Sequence, residues 1–167
     1  MYRTGPDRIH RRALVAGVAA FTAAAGVRAA EVEPQQIVDF GEPIDVSRVA
    51  PGDWQIVLID TDPVFLRRRT PDEVAAVRAV PASALPDPAR DEDRAPGDGQ
   101  WLVVSGLCTH AGCRAVAAIG PYNGWGCLCH GSLYDISGRV RRGPAKRNLP
   151  IFKHEFRGRD RMILFAG

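Results

Sequence analysis

The sequence contains few of the residue types that usually carry chemistry. Its 167 residues include only four cysteines, four histidines and two methionines, and aromatic residues make up 7%. The length excludes a large multidomain enzyme, and 46% apolar with 25% charged residues excludes a wholly disordered chain. The net charge of +3 is too small to indicate nucleic acid, and no nucleic-acid partner is predicted. The 17 glycines and 13 prolines favour turns, and therefore strands and loops over long helices.

Long apolar stretches are also scarce, and the clearest one lies near the N-terminus. Residues 1–12 contain four arginines and one aspartate, after which basic and acidic residues balance at 18 each. The 15 residues at 13–27 carry no charge, and as a helix they would span about 22 Å, less than a hydrocarbon core of roughly 30 Å. This pattern fits a cleaved signal or a retained membrane anchor, which we weigh equally on length and composition. Arg11 and Arg12 are typical of a twin-arginine export signal, with the basic end cytoplasmic.

The middle of the chain predicts strands with one short helix. Residues 31–43 are a polar linker that forms either a hinge or an edge strand. Trp54–Ile59 and residues 64–66 predict a hairpin, and the three arginines that follow it are interpreted as a solvated strand end. Thr70 and Glu73 form a capping box that starts a helix, and Pro81 ends it. Residues 82–99 are rich in proline, glycine and charge, so an exposed loop is predicted there.

The remainder of the chain predicts further strands. Residues 100–104 form one that leads directly into the first cysteine. After His130, apolar segments alternate with turn signals, and the last two segments form a plausible terminal hairpin. The predicted architecture behind the N-terminal segment is therefore mainly β with one short helix.

All four cysteines and two of the histidines fall in two short motifs. Residues 108–113 read C-T-H-A-G-C, and residues 127–132 read C-L-C-H-G-S. Two cysteines and two histidines can bind zinc tetrahedrally, or they can bind a [2Fe–2S] cluster with the cysteines on one iron and the histidines on the other. Two cysteines are then left over, and in an exported protein they suit a disulfide. Two ordinary disulfides with bystander histidines are a third interpretation.

These two motifs resemble the two boxes of Rieske iron–sulfur proteins. Four further segments resemble the Rieske subunits of ubiquinol–cytochrome c reductases: P-I-D-V-S-R-V-A-P-G at 43–52, V-F-L-R-R-R-T at 64–70, S-L-Y-D-I-S-G-R at 132–139 and G-P-A at 143–145. Together with the twin-arginine start, the resemblance covers nearly the whole chain.

The resemblance implies one Rieske-type [2Fe–2S] cluster and a role for each residue around it. Four residues would bind the irons in pairs: Cys108 with Cys127, and His110 with His130. Cys113 and Cys129 would form a disulfide. Ser132 and Tyr134 would donate hydrogen bonds to a cluster sulfide and a cysteine sulfur, which stabilises the reduced form and raises the potential. His130 would lie at the quinol.

The resemblance also implies a fold and a division of the chain. The fold would be a Rieske-type antiparallel β-sandwich with a small cluster-binding subdomain at about 105–148, within a domain spanning residues 44–167. Residues 1–30 would form the twin-arginine N-terminus and a single transmembrane helix, which favours the anchor over the cleaved signal. Residues 31–43 would be the hinge.

The implied function is that of an electron-transfer subunit. It would accept an electron and a proton from ubiquinol at a cytochrome b partner and pass the electron to a c-type cytochrome, within a complex that is dimeric. The complex would lie in a bacterial inner membrane with the head in the periplasm. The alternative is the small Rieske subunit of a periplasmic oxidoreductase such as arsenite oxidase. The segments G-P-A and V-F-L-R-R-R-T favour the reductase over this alternative.

The chain departs from the family pattern at four positions near the boxes. The family usually has leucine at Ala111, proline at Leu128 and Lys146, and an aromatic residue at Gly126. Smaller residues are expected to shield the cluster less, and Lys146 adds a charge beside it.

Four other residues are interpreted as structural or incidental. Trp125 is expected to pack under the loop and Asp135 to fix a turn. His10 and His154 are expected to have no metal role.

Overall fold

The computed structural model describes residues 36–166, which form three sheets and two short α-helices. The first sheet has the order β1-β3-β4-β5, the second β10-β11-β2 and the third β6-β7-β8-β9. The strands are β1 (Gln36–Ile37), β2 (Pro43–Asp45), β3 (Trp54–Ile59), β4 (Asp62–Arg68), β5 (Trp101–Ser105), β6 (Val116–Ala117), β7 (Asn123–Cys127), β8 (Ser132–Asp135), β9 (Val140–Arg142), β10 (Lys153–Arg157) and β11 (Arg161–Phe165). The helices are α1 (Pro71–Arg78) and the single turn α2 (Asp91–Arg94), and a 3₁₀ turn covers Ala82–Ala84.

The prediction of a mainly β architecture with one short helix is confirmed, with α2 as an additional turn of helix. Every strand pair is antiparallel except β1 with β3, which is parallel. Strand β1 lies at the edge of its sheet. Of the two alternatives for residues 31–43, the described part of this segment therefore contains an edge strand.

Helix α1 begins where the capping box predicts. The Thr70 hydroxyl accepts a hydrogen bond from the backbone N–H of Glu73, and the Glu73 carboxylate accepts one from the N–H of Thr70. These two bonds satisfy backbone donors that the first turn of a helix leaves unpaired. Val74 and Val77 are the buried residues of this helix, so its side that carries them faces the core.

Two hydrophobic clusters form the core. One contains Phe65, Trp125 and Tyr134 together with Cys108 and Cys127. The other is built from aliphatic residues of β2, β3, β4, β5 and β11, which include Ile44, Val57, Leu66, Val103 and Leu164. The first cluster therefore supports the cysteine motifs, and the second holds the first two sheets together.

The predicted solvated end of β4 is wrong. Arg67 and Arg69 are 3% and 0% exposed. Arg67 pairs with Glu73 at 2.7 Å, and the Arg69 guanidinium donates to both carboxylate oxygens of Asp91 and to the Gly99 carbonyl. Buried charges persist when they are paired and hydrogen-bonded in this way.

The prediction that residues 82–99 are an exposed loop is also wrong in part. Leu85, Asp91 and Ala95 are buried. The reason is again Asp91, because its carboxylate lies between Arg69 and Ser137 and draws this segment against the sheet. Helix α2 forms at that point of attachment.

The twin-arginine motif, the predicted anchor at 1–30 and His10 lie outside the described residues. Within residues 36–166, no helix has the length and apolarity needed to cross a membrane.

Candidate metal centre

The first cysteine motif forms a tight loop after β5. The backbone N–H of Cys108 donates to the Cys113 carbonyl, and the N–H of Gly112 donates back to the Cys108 carbonyl, both at 2.8 Å. Gly112 has a φ of 72°, which glycine adopts without a steric cost. The six-residue spacing therefore closes on itself and fixes the direction of the side chains between its ends.

The second motif is the turn between β7 and β8. Cys127 ends β7 opposite Ser132, the first residue of β8. The Gly131 N–H donates to the Cys127 carbonyl at 2.9 Å, and Gly131 has a φ of 75°. The antiparallel pair therefore presents residues 128–131 at its tip.

A disulfide joins the two loops, as the resemblance implied. It links Cys113 to Cys129, which are 16 residues apart in sequence. The sulfur atoms of these two residues and of Cys127 lie within 4.8 Å of one another. Because two of the three share the disulfide, Cys127 is the member of this group that can bind a metal. Cys108 is the other free cysteine, and both free thiols are buried, at 2% and 3% exposure.

The two histidines of the motifs meet at the surface. The ring centroids of His110 and His130 are 4.8 Å apart in an edge-to-face arrangement, and both residues are exposed. The structure thus places two buried thiols and two solvent-facing imidazoles on two loops that the disulfide joins.

Tyr134 contacts the first motif from beneath. Its hydroxyl lies 3.3 Å from the Cys108 sulfur and 3.0 Å from the Thr109 hydroxyl oxygen, and it accepts a hydrogen bond from the Thr109 N–H at 3.2 Å. The Thr109 hydroxyl donates its own proton to the Arg147 carbonyl at 2.6 Å. Since that proton is engaged, the Tyr134 proton is shared between the Cys108 sulfur and the Thr109 oxygen.

The two thiols differ in acidity because of these contacts. Burial alone would raise the pKa of Cys108, but hydrogen bonds from Tyr134 and the His110 backbone outweigh it and lower that pKa. Burial and the hydrogen bond with Cys108 raise the pKa of Cys127. Burial and the Cys108 contact raise the pKa of Tyr134 to about 12, so its phenol keeps its proton at neutral pH. A bound cation stabilises both thiolates together.

A third loop, residues 143–148, lies against the second motif. The Ala145 N–H donates to the Ser132 hydroxyl oxygen at 3.1 Å, which leaves the Ser132 proton free to be donated. A Cβ on Gly143, whose φ is 100°, would stand 2.5 Å from the Ser132 Cα. Only glycine therefore allows this close approach of the two backbones.

Gly126 does not leave an open space beside its strand, contrary to the expectation that this small residue shields the site less. A Cβ there would lie 2.8 Å from Cγ2 of Ile119 and 3.4 Å from Leu133, so these side chains fill the space beside the strand. Gly126 is buried, whereas two of the other residues that depart from the family pattern are exposed. Leu128 is 75% exposed, and Ala111 is also exposed, so both form part of the tip near the histidines.

The neighbouring structural residues behave as predicted. Asp135 accepts hydrogen bonds from the backbone N–H groups of Ser137 and Arg139, which fixes the turn between β8 and β9. Trp125 is 1% exposed and packs against Phe65 with ring centroids 5.8 Å apart. Sequence reasoning missed Thr109, whose hydroxyl contacts the Tyr134 hydroxyl and the Arg147 carbonyl, although its place between Cys108 and His110 was a signal.

The donor set fits an iron–sulfur cluster better than a plain zinc site. Two thiols that lie buried with a phenol directed at one of their sulfurs suit a centre whose sulfurs accept hydrogen bonds. Two imidazoles at the surface bring the candidate ligands to two sulfur and two nitrogen atoms. This combination on a mainly β framework is the arrangement expected of an iron–sulfur protein.

Comparison with known proteins identifies the family. The Rieske [2Fe–2S] domain profile matches residues 44–153, and the chain belongs to this family. Its cofactor is accordingly a [2Fe–2S] cluster.

Named relatives of the chain are subunits of one respiratory complex. The chain is 50% identical over 114 residues to the ubiquinol-cytochrome c reductase iron-sulfur subunit of Rickettsia felis, covering 68% of this chain and 64% of that one. It is 47% identical over 115 residues to the mitochondrial cytochrome b-c1 complex subunit Rieske of Schizosaccharomyces pombe, covering 69% and 50%. The matched part therefore spans half to nearly two thirds of these relatives.

A solved structure shares the fold. A chain of a hyperthermophilic respiratory Complex III matches with a TM-score of 0.50 and 24% identity, covering 72% of each chain.

Proposed function

We propose that this protein is the Rieske iron–sulfur subunit of a ubiquinol–cytochrome c reductase. The observation that carries the proposal is the pair of adjacent, exposed imidazoles on the same two loops that carry the two buried free thiols. The identity to reductase subunits of Rickettsia felis and Schizosaccharomyces pombe supports the choice of complex. The exposed imidazoles give an electron a short path between the site and a partner surface.

The ligand assignment follows from which groups are free and how they are arranged. Cys108 and Cys127 bind one iron, because the remaining cysteines are joined in the disulfide. His110 and His130 bind the other iron, and the 4.8 Å between their ring centroids allows both to approach one atom. The disulfide holds the two loops together whether or not the iron is bound.

Two hydroxyl groups adjust the site toward the reduced state. Tyr134 donates to the Cys108 sulfur, and Ser132 has a proton free for a cluster sulfide because its oxygen already accepts from Ala145. Hydrogen bonds to sulfur favour added negative charge. The Thr109 hydroxyl limits the effect of Tyr134 because it competes for the same proton.

The histidines connect the site to the quinol. The [2Fe–2S] cluster, when bound, supplies reversible uptake of one electron. His130 carries the second-box imidazole at the exposed tip, where the ring nitrogen that is not used to hold the cluster would, in its deprotonated form, take a proton from ubiquinol. Exposed Leu128 and Ala111 give the same tip an apolar surface for contact with a cytochrome b partner. The electron then leaves toward a c-type cytochrome.

The division of the chain is part of the proposal. Residues 1–30 form the twin-arginine N-terminus and a single-pass anchor in the bacterial inner membrane, with the N-terminus cytoplasmic. Residues 31–43 form the linker, and residues 44–167 the Rieske domain in the periplasm. Residues 105–148 form the cluster-binding subdomain of a head that works within a dimeric complex.

The first test asks whether the cluster forms through the proposed ligands. The full chain is purified from membranes, reduced, and examined by EPR, with iron and sulfide analysis on the same sample. We expect a Rieske-type signal in the wild type and in a His154→Gln control, whose histidine lies in β10. His130→Gln is expected to lose the signal. A wild type that contains zinc without iron and sulfide contradicts the proposal.

The second test asks which complex the protein belongs to. Detergent extraction followed by affinity purification of the tagged chain should recover a cytochrome b and a c-type cytochrome, and the purified assembly should reduce cytochrome c with ubiquinol. Recovery of a molybdenum-containing subunit in place of cytochrome b would instead support the periplasmic oxidoreductase alternative.

A further inference from the structure

Charge is distributed unevenly along the described chain. Residues 105–148 contain six basic residues and one acidic residue, a net charge of +5. Residues 36–104 contain seven basic and 13 acidic residues, a net charge of −6. The segment that carries both cysteine motifs is therefore strongly positive, whereas the segment that precedes it is negative.

Most of the positive charge of this segment is unpaired and faces solvent. Its single acidic residue, Asp135, is buried and lies 2.9 Å from Arg139 and 3.4 Å from Arg141. The other four basic residues are all exposed, and none forms an ion pair with another residue in the 36–166 range: Arg114, Arg142, Lys146 and Arg147.

Three of these cations lie on or beside the loop that contacts the cysteine motifs. The Arg147 carbonyl accepts the hydrogen bond from Thr109, the residue between Cys108 and His110. Lys146 is adjacent to it and follows Ala145, whose N–H contacts Ser132. We call Arg142, Lys146 and Arg147 the basic rim.

The remaining positions support this definition of the rim. Arg142 pairs with Leu133 across β8 and β9, one residue from Ser132. Arg114 is left out because its guanidinium donates to the Thr61 carbonyl at 3.0 Å, toward the β3–β4 turn.

The composition of the surface favours a protein partner over a lipid surface. Basic clusters that bind anionic membranes usually contain about 4–8 lysines and arginines, and the rim has three. The large exposed apolar residue of the second motif is Leu128, at 75% exposure, which is little apolar area for insertion. In the proposed function an electron leaves through the exposed imidazoles, which belong to the two motifs that the loop at 143–148 contacts through Thr109 and Ser132.

We propose that the basic rim is a docking surface for an acidic face of the c-type cytochrome that accepts the electron. The inference rests on the proposed function and adds the chemistry of the partner to it. Positive charge on one side and negative charge on the other attract the partners before contact and align the imidazoles with the acceptor. Such attraction weakens as salt screens it.

The test measures binding of the c-type cytochrome purified from the same membranes to the full, cluster-loaded chain in detergent. Lys146→Gln with Arg147→Gln removes two rim charges. Arg157→Gln with Arg159→Gln is the matched control, because both arginines are exposed in the β10–β11 hairpin, outside the sheet that carries the second motif. EPR of each variant establishes that the cluster is intact.

We expect the dissociation constant of the wild type to rise with salt. At low salt the rim variant should bind the cytochrome roughly 2- to 30-fold more weakly than the wild type, because each exposed ion pair contributes little to the binding free energy. Its salt dependence should be shallower than that of the wild type, and the control should match the wild type. Equal affinities of rim variant and control, or binding that salt does not change, overturn the inference while leaving the proposed function intact.

A third measurement separates the lipid alternative from failure of the function. If the wild type binds vesicles of anionic phospholipid through the rim and does not bind the cytochrome at any salt concentration, the docking proposal is wrong. Failure of the proposed function itself has a different signature, the absence of the Rieske EPR signal from the wild type.

Discussion

Replacing Asp91 by asparagine removes a negative charge that several buried groups share. Asp91 is 1% exposed and accepts hydrogen bonds from Arg69, Arg78 and Ser137 at 2.5, 3.1 and 2.6 Å. Without that charge, the fully buried Arg69 guanidinium keeps the Gly99 carbonyl but loses its counter-ion. Breaking a buried pair from one side costs about 3–5 kcal/mol. We expect the free energy of unfolding of Asp91→Asn to fall by about that amount.

A neighbouring, exposed ion pair at the same turn of helix supplies the control. Asp93 pairs with Arg90 at 2.7 Å, and both side chains are more than half exposed. An exposed pair contributes about 0–1 kcal/mol, so Asp93→Asn should hardly change stability. Urea unfolding of the full, cluster-loaded chain, followed by circular dichroism, measures both variants. Similar losses in the two variants would refute the reasoning that burial determines the cost.

The pH dependence of the same variant gives an independent check. Burial alone would raise the pKa of Asp91, but hydrogen bonds from Arg69 and Ser137 outweigh it and hold the pKa below its usual value. The group therefore contributes stability above its unfolded pKa of about 3.9 and loses it as the pH falls through the lower folded pKa. The difference between wild type and Asp91→Asn should shrink in acid. A difference that stays constant from neutral pH into acid contradicts this assignment.

Three further sets of substitutions test the metal centre and its surroundings. Tyr134→Phe removes a hydrogen bond to sulfur worth about 1–2 kcal/mol. The reduction potential of the cluster-loaded full chain, measured by voltammetry, should therefore fall by about 40–90 mV. An unchanged potential would show that the phenol serves only packing. Gly126→Phe forces atoms into Ile119 and should cost about 1–3 kcal/mol in urea unfolding, and adding Ile119→Ala should recover part of the loss. Cys113→Ser and Cys129→Ser each open the disulfide and should each lower the free energy of unfolding by about 3 kcal/mol. Adding a thiol reductant should not lower the stability of either variant further.

Local signals predicted the fold well, and distant ion pairs did not. The capping box at Thr70 is correct because both its partners lie within three residues. The interpretation of Arg67 and Arg69 failed because a run of arginines looks solvated in sequence. The partners that allow burial include Asp91, which is 22 residues away and becomes adjacent only when the chain folds.

In the candidate site, too, the sequence predicted which residues take part but not the contacts between residues that are distant in sequence. The motif spacing identified the cysteines and histidines, and the resemblance implied the disulfide between Cys113 and Cys129. The competition of Thr109 for the Tyr134 proton depends on the position of the Arg147 carbonyl, 38 residues away from Thr109. The filling of space at Gly126 depends likewise on Ile119 across the strand pair. The place of Thr109 between Cys108 and His110 marks that residue in the sequence, but neither of these two contacts becomes visible before the chain is folded.

Arg94 illustrates how this protein can tolerate sequence drift. Its guanidinium donates to the backbone carbonyls of Ser137, Gly138 and Leu149. Every amino acid supplies a carbonyl, so substitutions at these three positions leave the acceptors in place as long as the backbone path is kept. Only a change at Arg94 itself removes all three bonds at once, so this contact depends on the identity of one residue and on the backbone path of the other three. The other attachments of residues 82–99 are less tolerant, because they use the Asp91 carboxylate and the buried side chains of Leu85 and Ala95.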